Sequence, residues 1–188
     1  MPTEFHDLWG SLHIGDTADY KNQLAAAETA GISSVAAHPS FADPLDNPQA
    51  VEELLRNTAF SRVAVRPVGA LTAGLRGEGL TAYSKLKAAG CIAVGQGNAP
   101  LPAAPVLRRA FEYAASCQMP IWLRPEDTEL AAKGFAHEGA IGTRLGLKGI
   151  PVIAETVAMN LLIALAEQTG AELHLSRLSS AAGVEILR

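Results

Sequence analysis

Short apolar segments alternate with amphipathic segments along most of this chain. Apolar runs such as 32–37 and 120–123 show no alternation between polar and apolar residues, which is typical of parallel strands buried on both faces. Between these runs, residues of one helix face recur at helical spacing, as Val51, Leu54, Leu55 and Thr58 do at positions i, i+3, i+4 and i+7. The pattern therefore predicts a repeated strand–helix unit.

About six such units fit the chain. We predict strands at 4–14, 32–37, 62–66, 91–94, 120–123 and 172–175. The helices that follow them are predicted to begin near residues 18, 48, 79, 103, 153 and 179. Pro67 is expected to end the third strand, because proline has no backbone N–H. In the fifth helix, the buried apolar face is predicted to consist of Ile153, Val157, Leu161, Leu162 and Leu165.

Two folds are compatible with six parallel βα units: an open doubly wound sheet, and part of a closed (β/α)8 barrel. A full barrel typically needs about 250 residues, or about 31 per unit. The 188 residues of this chain would therefore hold six units. Hydrophobic residues make up 48% of the chain, which suits one globular domain over residues 1–188. The pattern alone favours the open sheet.

Charge and targeting features narrow the classes of function. The formal net charge is −4 and there is no run of Lys or Arg, which argues against nucleic-acid binding. We find neither a signal peptide nor an uninterrupted apolar run long enough to span a bilayer, so we expect no membrane association and a cytoplasmic location. Cys91 and Cys117 are interpreted as free thiols in a reducing compartment rather than as a disulfide.

The segment 135–155 is unusual in its glycine content. Five glycines between Gly134 and Gly149 leave it without a periodic apolar face, so we predict a long ordered loop. Loops of this length inside compact domains are usually functional or part of a binding surface.

The same segment carries a resemblance to a known family. Its sequence is similar to the linker after the fifth barrel strand in cyclic amidohydrolases of the dihydroorotase family. Segments 68–80, 108–114, 124–130 and 174–179 continue the resemblance in the same order. The resemblance implies a truncated barrel of the amidohydrolase type, and it reverses the preference for an open sheet. The β-domain that precedes the first strand in the family, and everything after the sixth strand, are missing from the match.

The resemblance also implies where metal ligands should be. The family's hydrolases hold one or two divalent metals with imidazole and carboxylate ligands, which suit zinc. The aligned metal positions hold Trp9, Ser11, Gln96, Arg124 and Arg177 instead. A guanidinium at about 4 Å repels each unit of charge by about 4 kcal/mol at an effective dielectric constant near 20, and a dication doubles that. We therefore expect no metal, no cofactor and no metal-dependent ring opening.

The arginines suggest a different site. Arg66, Arg124 and Arg177 fall at the predicted C-terminal ends of strands, where barrel proteins bind ligands. Together with His13, at the family's arginine position, and Gln96, they form a candidate anion-binding or vestigial site. Two interpretations remain open: the arginines pair with carboxylates such as Glu126, Asp127 and Glu155, or they receive a small anion. The 95–98 segment is interpreted as a βα turn rather than a phosphate cradle.

The family resemblance implies a non-catalytic, dihydroorotase-like protein with a structural or regulatory role in pyrimidine biosynthesis. The expected partners are aspartate transcarbamoylase, further copies of this chain, or both, because the first and sixth strands of a partial barrel would each leave an edge to cover. Two alternatives stay open. One is a divergent dihydroorotase or cyclic amidohydrolase that hydrolyses a cyclic amide, and the other is a small-anion binding protein.

Overall fold

A computed structural model describes residues 5–10 and 17–188, apart from the side chains of residues 8–10 and 17–19. Strands and helices alternate through the described residues, as predicted. The elements are β1 (Phe5–Gly10), α1 (Thr17–Thr29), β2 (Ile32–Ala37), α2 (Pro48–Thr58), β3 (Ala64–Ala70), a 3-10 turn (Ala73–Leu75), α3 (Tyr83–Ala88), β4 (Ala93–Gly95), α4 (Ala104–Cys117), β5 (Ile121–Leu123), α5 (Thr128–Ala131), β6 (Ala136–His137), α6 (Ala140–Arg144), β7 (Gly149–Ile150), α7 (Val152–Thr169), β8 (Leu173–Leu175) and α8 (Ala181–Ile186).

The chain divides into two compact units, Met1–Ala99 and Pro100–Arg188. In the first unit, β1 pairs with β2, β2 with β3, and β3 with β4, and all three pairs are parallel. The strands therefore lie side by side in chain order. A doubly wound sheet reverses its strand order at a switch point, and the described strands of this unit show no such reversal. The single domain expected over 1–188 stays a prediction.

The third strand differs from the prediction. β3 continues through Pro67 to Ala70, and its last four residues are buried. Pro67 is the last residue of β3 that pairs with β2, opposite Ala37, and its carbonyl accepts a hydrogen bond from the N–H of Ile92 at 2.9 Å. Arg66 is consequently an exposed residue within the first half of β3, and its predicted position at the C-terminal strand end is wrong.

Helix α2 follows its sequence signals closely. The side chain of Asn47 accepts a hydrogen bond from the N–H of Ala50 at 3.0 Å, so it caps the helix at the residue before Pro48. Val51, Leu54 and Thr58 are buried, as their spacing predicts. Leu55, the fourth residue of the predicted face, is half-buried, so the prediction is confirmed at three of its four positions.

The second unit places β5 and β8 side by side, again in parallel. Helix α7 packs against α4, α5 and α8. Its buried face consists of small residues, one carboxylate and larger apolar residues, namely Ala154, Glu155, Ala158, Met159, Leu162 and Leu165. Ile153, Val157 and Leu161 point outward and are 52%, 44% and 37% exposed, so the prediction that they are buried is wrong. The alanines allow closer helix packing than the branched residues would.

The glycine-rich segment is more regular than the predicted loop. It forms a small parallel β–α–β arrangement, in which β6 pairs with β7 around α6. The glycines permit the close approach: a Cβ on Gly134 would lie 2.7 Å from the carbonyl oxygen of Gly149, and one on Gly149 would lie 2.9 Å from the Cα of Glu138. Elements of two to five residues are too short to show a hydrophobic periodicity in the sequence.

Helix α7 is also the one helix, among the described residues, whose length and mean hydropathy would allow it to cross a membrane. No run of this kind was expected from the sequence. Length and composition are weak evidence here, because the packed core helix of a globular protein passes the same test.

Candidate functional site

A cavity of about 270 Å³ lies where β5 and β8 end in the second unit. Arg124 follows β5 directly, and Arg177 lies two residues after β8, so parallel strands bring both residues to the same edge. The remaining walls come from the glycine-rich segment and the start of α7. They include Phe135, Ala136, His137, Ile150, Pro151, Val152, Ala154 and Glu155, together with Pro125, Glu126, Ser179 and Ser180.

Arg124 is already engaged. Its two terminal nitrogens donate to the two carboxylate oxygens of Glu126, at 2.9 and 2.7 Å, in a fork-to-fork pair. Both side chains are only 23% exposed. This contact is one of the two interpretations that the sequence left open, in which the arginines pair with nearby carboxylates.

Glu155 lies at the start of α7 and is 9% exposed. Its carboxylate accepts four hydrogen bonds: from the N–H and hydroxyl of Ser179 at 2.7 and 2.9 Å, and from the N–H and hydroxyl of Ser180 at 3.1 and 2.6 Å. Burial acts to raise the pKa of Glu155, but the hydrogen bonds from Ser180 and Ser179 outweigh it and hold this pKa below its ordinary value. Glu155 is therefore a buried anion whose lone pairs are in use.

The same serines begin helix α8. The hydroxyl of Ser180 accepts the N–H of Gly183 at 2.9 Å, which makes Ser180 the N-cap. Glu155 thus connects α7 to the first turn of α8. From the sequence, Glu155 was only a candidate partner for arginine, and this role was missed. The available signal was the Ser179-Ser180 pair three residues before Gly183, which is a typical helix start.

Gln96 belongs to the first unit, directly after β4, and is 1% exposed. Its amide nitrogen donates to the carbonyl of Leu75 at 3.1 Å and to the hydroxyl of Thr72 at 3.0 Å. Thr72 also donates to the amide oxygen at 3.2 Å. The side chain ties β4 to the turn that follows β3, which is a structural role. The 95–98 segment forms a turn, as predicted, with Gly97 at a φ of +56°.

Of the remaining predicted site residues, the structure describes only Arg66 in full. Arg66 is exposed within β3. Ser11 and His13 lie outside the described residues. For Trp9 the backbone is described, but the side chain is not. Trp122 lies in the middle of β5 and packs against His174, with ring centroids 5.0 Å apart and ring planes tilted by 37°.

The donor set does not fit a zinc ion. Within residues 5–10 and 17–188, as far as their side chains are described, no three His, Cys, Asp or Glu residues converge as metal ligands would. The aligned positions that the structure describes carry an amide and two guanidinium groups, and a guanidinium has no lone pair to donate. These residues therefore do not supply the ligand set that the family's metal-dependent hydrolysis requires.

Comparison with known proteins gives consistent results. The sequence profile of the Dihydro-orotase-like family matches residues 12–182. The dihydroorotase of Anaeromyxobacter sp. (strain K) is 42% identical over 176 residues, which cover 90% of this chain and 40% of that protein. A protein of Pseudomonas aeruginosa named "Dihydroorotase-like protein" is 38% identical over 174 residues, covering 92% of this chain and 41% of that protein. The chain thus spans about 40% of the length of these curated relatives.

Solved structures support the fold. L-hydantoinase (dihydropyrimidinase) from Arthrobacter aurescens superimposes with a TM-score of 0.73 at 17% identity, covering 97% of this chain and 43% of that one. Dihydroorotase from Saccharomyces cerevisiae, solved with 5-fluoroorotic acid, gives 0.66 at 14% identity, covering 96% and 49%. At these identities the likeness shows the fold alone. It confirms the predicted partial (β/α) barrel of the amidohydrolase type, and the open sheet that the pattern alone favoured is wrong.

Proposed function

Because the chain belongs to the dihydroorotase-like family, we propose that it is a non-catalytic member with a structural or regulatory role in pyrimidine biosynthesis. In this proposal its partner is aspartate transcarbamoylase, whose assembly it supports. We also propose that it works in the cytoplasm, since Cys91 and Cys117 form no disulfide, as is usual in a reducing compartment.

The observation that supports the proposal most directly is which residues occupy the aligned metal positions and which groups they bind. Arg124 stands where the family resemblance places an imidazole ligand, and it is locked to Glu126 by two short hydrogen bonds. Gln96 stands at or next to the position where the resemblance places an acidic ligand, and its amide group forms hydrogen bonds with Thr72 and Leu75. Arg124 has no lone pair to offer a metal, and the amide oxygen of Gln96 already accepts a hydrogen bond from Thr72.

The electrostatic argument is modified by the ion pair. The charge of Arg124 is largely balanced by Glu126, so its repulsion of a dication is smaller than an isolated guanidinium would produce. Coordination still fails, because a guanidinium stays protonated and offers no donor electrons. Without a metal there is no bound hydroxide to attack a cyclic amide by the family's route.

A second candidate function is the binding of a small anion in the cavity that Arg124 and Arg177 line. The specific support is that both arginines reach one cavity of about 270 Å³ at the C-terminal ends of two parallel strands. An anion there would have to compete with Glu126 for Arg124. Calorimetric titration with dihydroorotate, carbamoyl aspartate and phosphate tests this idea, and heats no larger than dilution for all three would remove it.

The test of the main proposal is turnover of dihydroorotate by the purified chain, assayed beside the Anaeromyxobacter dihydroorotase under the same conditions. We expect no turnover by this chain and less than stoichiometric zinc by metal analysis. Turnover that survives repurification and scales with protein would favour the divergent-hydrolase alternative instead.

The partner is tested separately. Tagged chain is expressed with the aspartate transcarbamoylase of the same organism, and we expect the two to co-purify in a fixed ratio. Separate elution of the two proteins on size exclusion would contradict the partnership, whatever the activity assay shows.

A further inference from the structure

The outward face of α7 is more apolar than an exposed helix face normally is. Ile153, Val157 and Leu161 recur at every fourth residue, so they form one row along the helix, and they are 52%, 44% and 37% exposed. Leu130 of α5 is 39% exposed as well. Single exposed apolar side chains need no explanation, but contiguous ones often mark an interaction surface.

Part of this row forms the wall of a groove of about 280 Å³ in the second unit. Val157, Ala158 and Leu161 of α7 line one side, and Leu101, Pro102, Ala103, Ala104 and Leu107, which lead into α4 and form its first turn, line another. The third side is the start of α5, with Glu126, Asp127, Thr128 and Glu129. We call this feature the acidic-rimmed groove.

The rim of the groove carries negative charge only. Glu126 is balanced by Arg124, but Asp127 and Glu129 make no ion pair among the described residues. The carboxylate of Asp127 accepts hydrogen bonds from the N–H groups of Glu129 and Leu130 as the cap of α5. No Lys or Arg of the described residues lines the groove. Its occupant should therefore combine apolar side chains with basic ones.

The chain itself carries such a segment. Residues 139–149, here the α6 segment, expose Ile141, Leu145 and Leu147 to 68%, 64% and 44%. Ile141 and Leu145 are four residues apart and share a helix face. Arg144 and Lys148 are exposed too, and neither forms an ion pair with a described residue.

We propose that the acidic-rimmed groove of one copy binds the α6 segment of a second copy. The match is one of both chemistry and charge: an apolar floor with acidic edges meets apolar side chains flanked by basic ones. If each copy offers its segment to the other's groove, the two contacts are equivalent and close a symmetric dimer. The inference goes beyond the proposed function, since it holds whether or not the chain turns over a substrate.

The first experiment measures self-association by sedimentation velocity over a range of protein concentrations. We expect the wild-type chain to form a dimer, and Leu145→Ser to raise the dimer dissociation constant by about tenfold or more, as removal of a central apolar contact does at interfaces. Phe41→Ser is the matched control, because Phe41 is 68% exposed but belongs to the first unit. It should leave the dissociation constant unchanged.

A charge exchange separates this interface from any other. Glu129→Lys alone, and Arg144→Glu with Lys148→Glu, should each weaken the dimer, and the three changes combined should recover at least part of the loss. Circular dichroism checks that every variant is folded. A wild-type chain that stays monomeric at all concentrations would overturn the proposal. So would a dimer that is indifferent to Leu145→Ser, or one whose charge variants show no mutual rescue.

Discussion

The buried carboxylate of Glu155 offers the sharpest test of how the second unit is held together. Glu155→Ala removes an acceptor of four hydrogen bonds. The hydroxyls of Ser179 and Ser180 can rotate toward other acceptors, but their two backbone N–H groups cannot. Ser180 is buried, so the loss of the partner of its N–H costs about 1–3 kcal/mol, whereas water can reach the N–H of the exposed Ser179. Hydrogen bonds to a charged acceptor are the stronger kind, so we expect Glu155→Ala to lower the free energy of unfolding by about 2–3 kcal/mol.

Urea denaturation followed by far-UV circular dichroism measures this change. Glu185→Ala is the control: it removes a carboxylate from α8 whose ion pair with Arg188 is exposed, with side chains 65% and 72% accessible. Such surface pairs contribute about 0–1 kcal/mol. Glu155→Gln should fall between the two variants, because an amide keeps one acceptor oxygen and loses the charge.

The pH dependence gives an independent check on Glu155. Its pKa in the folded protein lies below the ordinary value of 4.5, because four hydrogen bonds favour the charged form over the opposing effect of burial. The stabilisation it provides is therefore complete above the ordinary pKa and is lost as the pH falls through the lower, folded-state pKa. Wild-type stability should drop on acidification more steeply than that of Glu155→Gln. Parallel pH profiles, or a cost of Glu155→Ala below about 1 kcal/mol, would refute the reasoning.

Two further predictions concern the first unit and the thiols. Gly97→Ala should lower the free energy of unfolding by at least about 2 kcal/mol in the same urea assay, because Gly97 has a φ of +56° and a Cβ there would collide with the carbonyl oxygen of Pro39. Gly31→Ala, with a φ of +80° and open space around it, should cost only about 1 kcal/mol, so equal costs would contradict the collision. Burial raises the pKa of the Cys91 thiol to about 12, so iodoacetamide at pH 8 should alkylate Cys117 first, and mass spectrometry finding Cys91 labelled equally fast in the folded protein would contradict this.

The order and type of the elements were largely predictable from the sequence. Parallel strands buried on both faces are mainly apolar, so runs such as 120–123 stand out without any tertiary information. The start of α2 was predictable as well, because Asn47 caps the helix and Pro48 lies in its first turn. These signals depend on neighbours within a few residues.

The face that α7 buries could not be read from the sequence, because both sides of this helix are apolar. The larger side chains Ile153 and Val157 were expected inside, yet the structure buries Ala154 and Ala158. Close packing against α4 and α8 favours small side chains at the contact, and only the tertiary arrangement reveals that requirement. Pro67 illustrates the same limit: it was expected to end β3, but the strand continues through it, and its carbonyl accepts a hydrogen bond from the N–H of Ile92.

At the candidate site, the sequence showed which residues are present but not what their side chains contact. The family resemblance identified Arg124 and Gln96 as departures from the family's metal ligands. The sequence did not reveal which groups their side chains would bind. Glu126 takes both ends of the guanidinium of Arg124, and Thr72 and Leu75 take the amide of Gln96. Each replacement is thus accompanied by a neighbour that satisfies it. Returning Arg124 alone to histidine would leave Glu126 without its partner and would supply a single imidazole, whereas a zinc site needs several convergent ligands. The hydrogen bonds around these two positions thus differ from a metal centre as much as the residues themselves do.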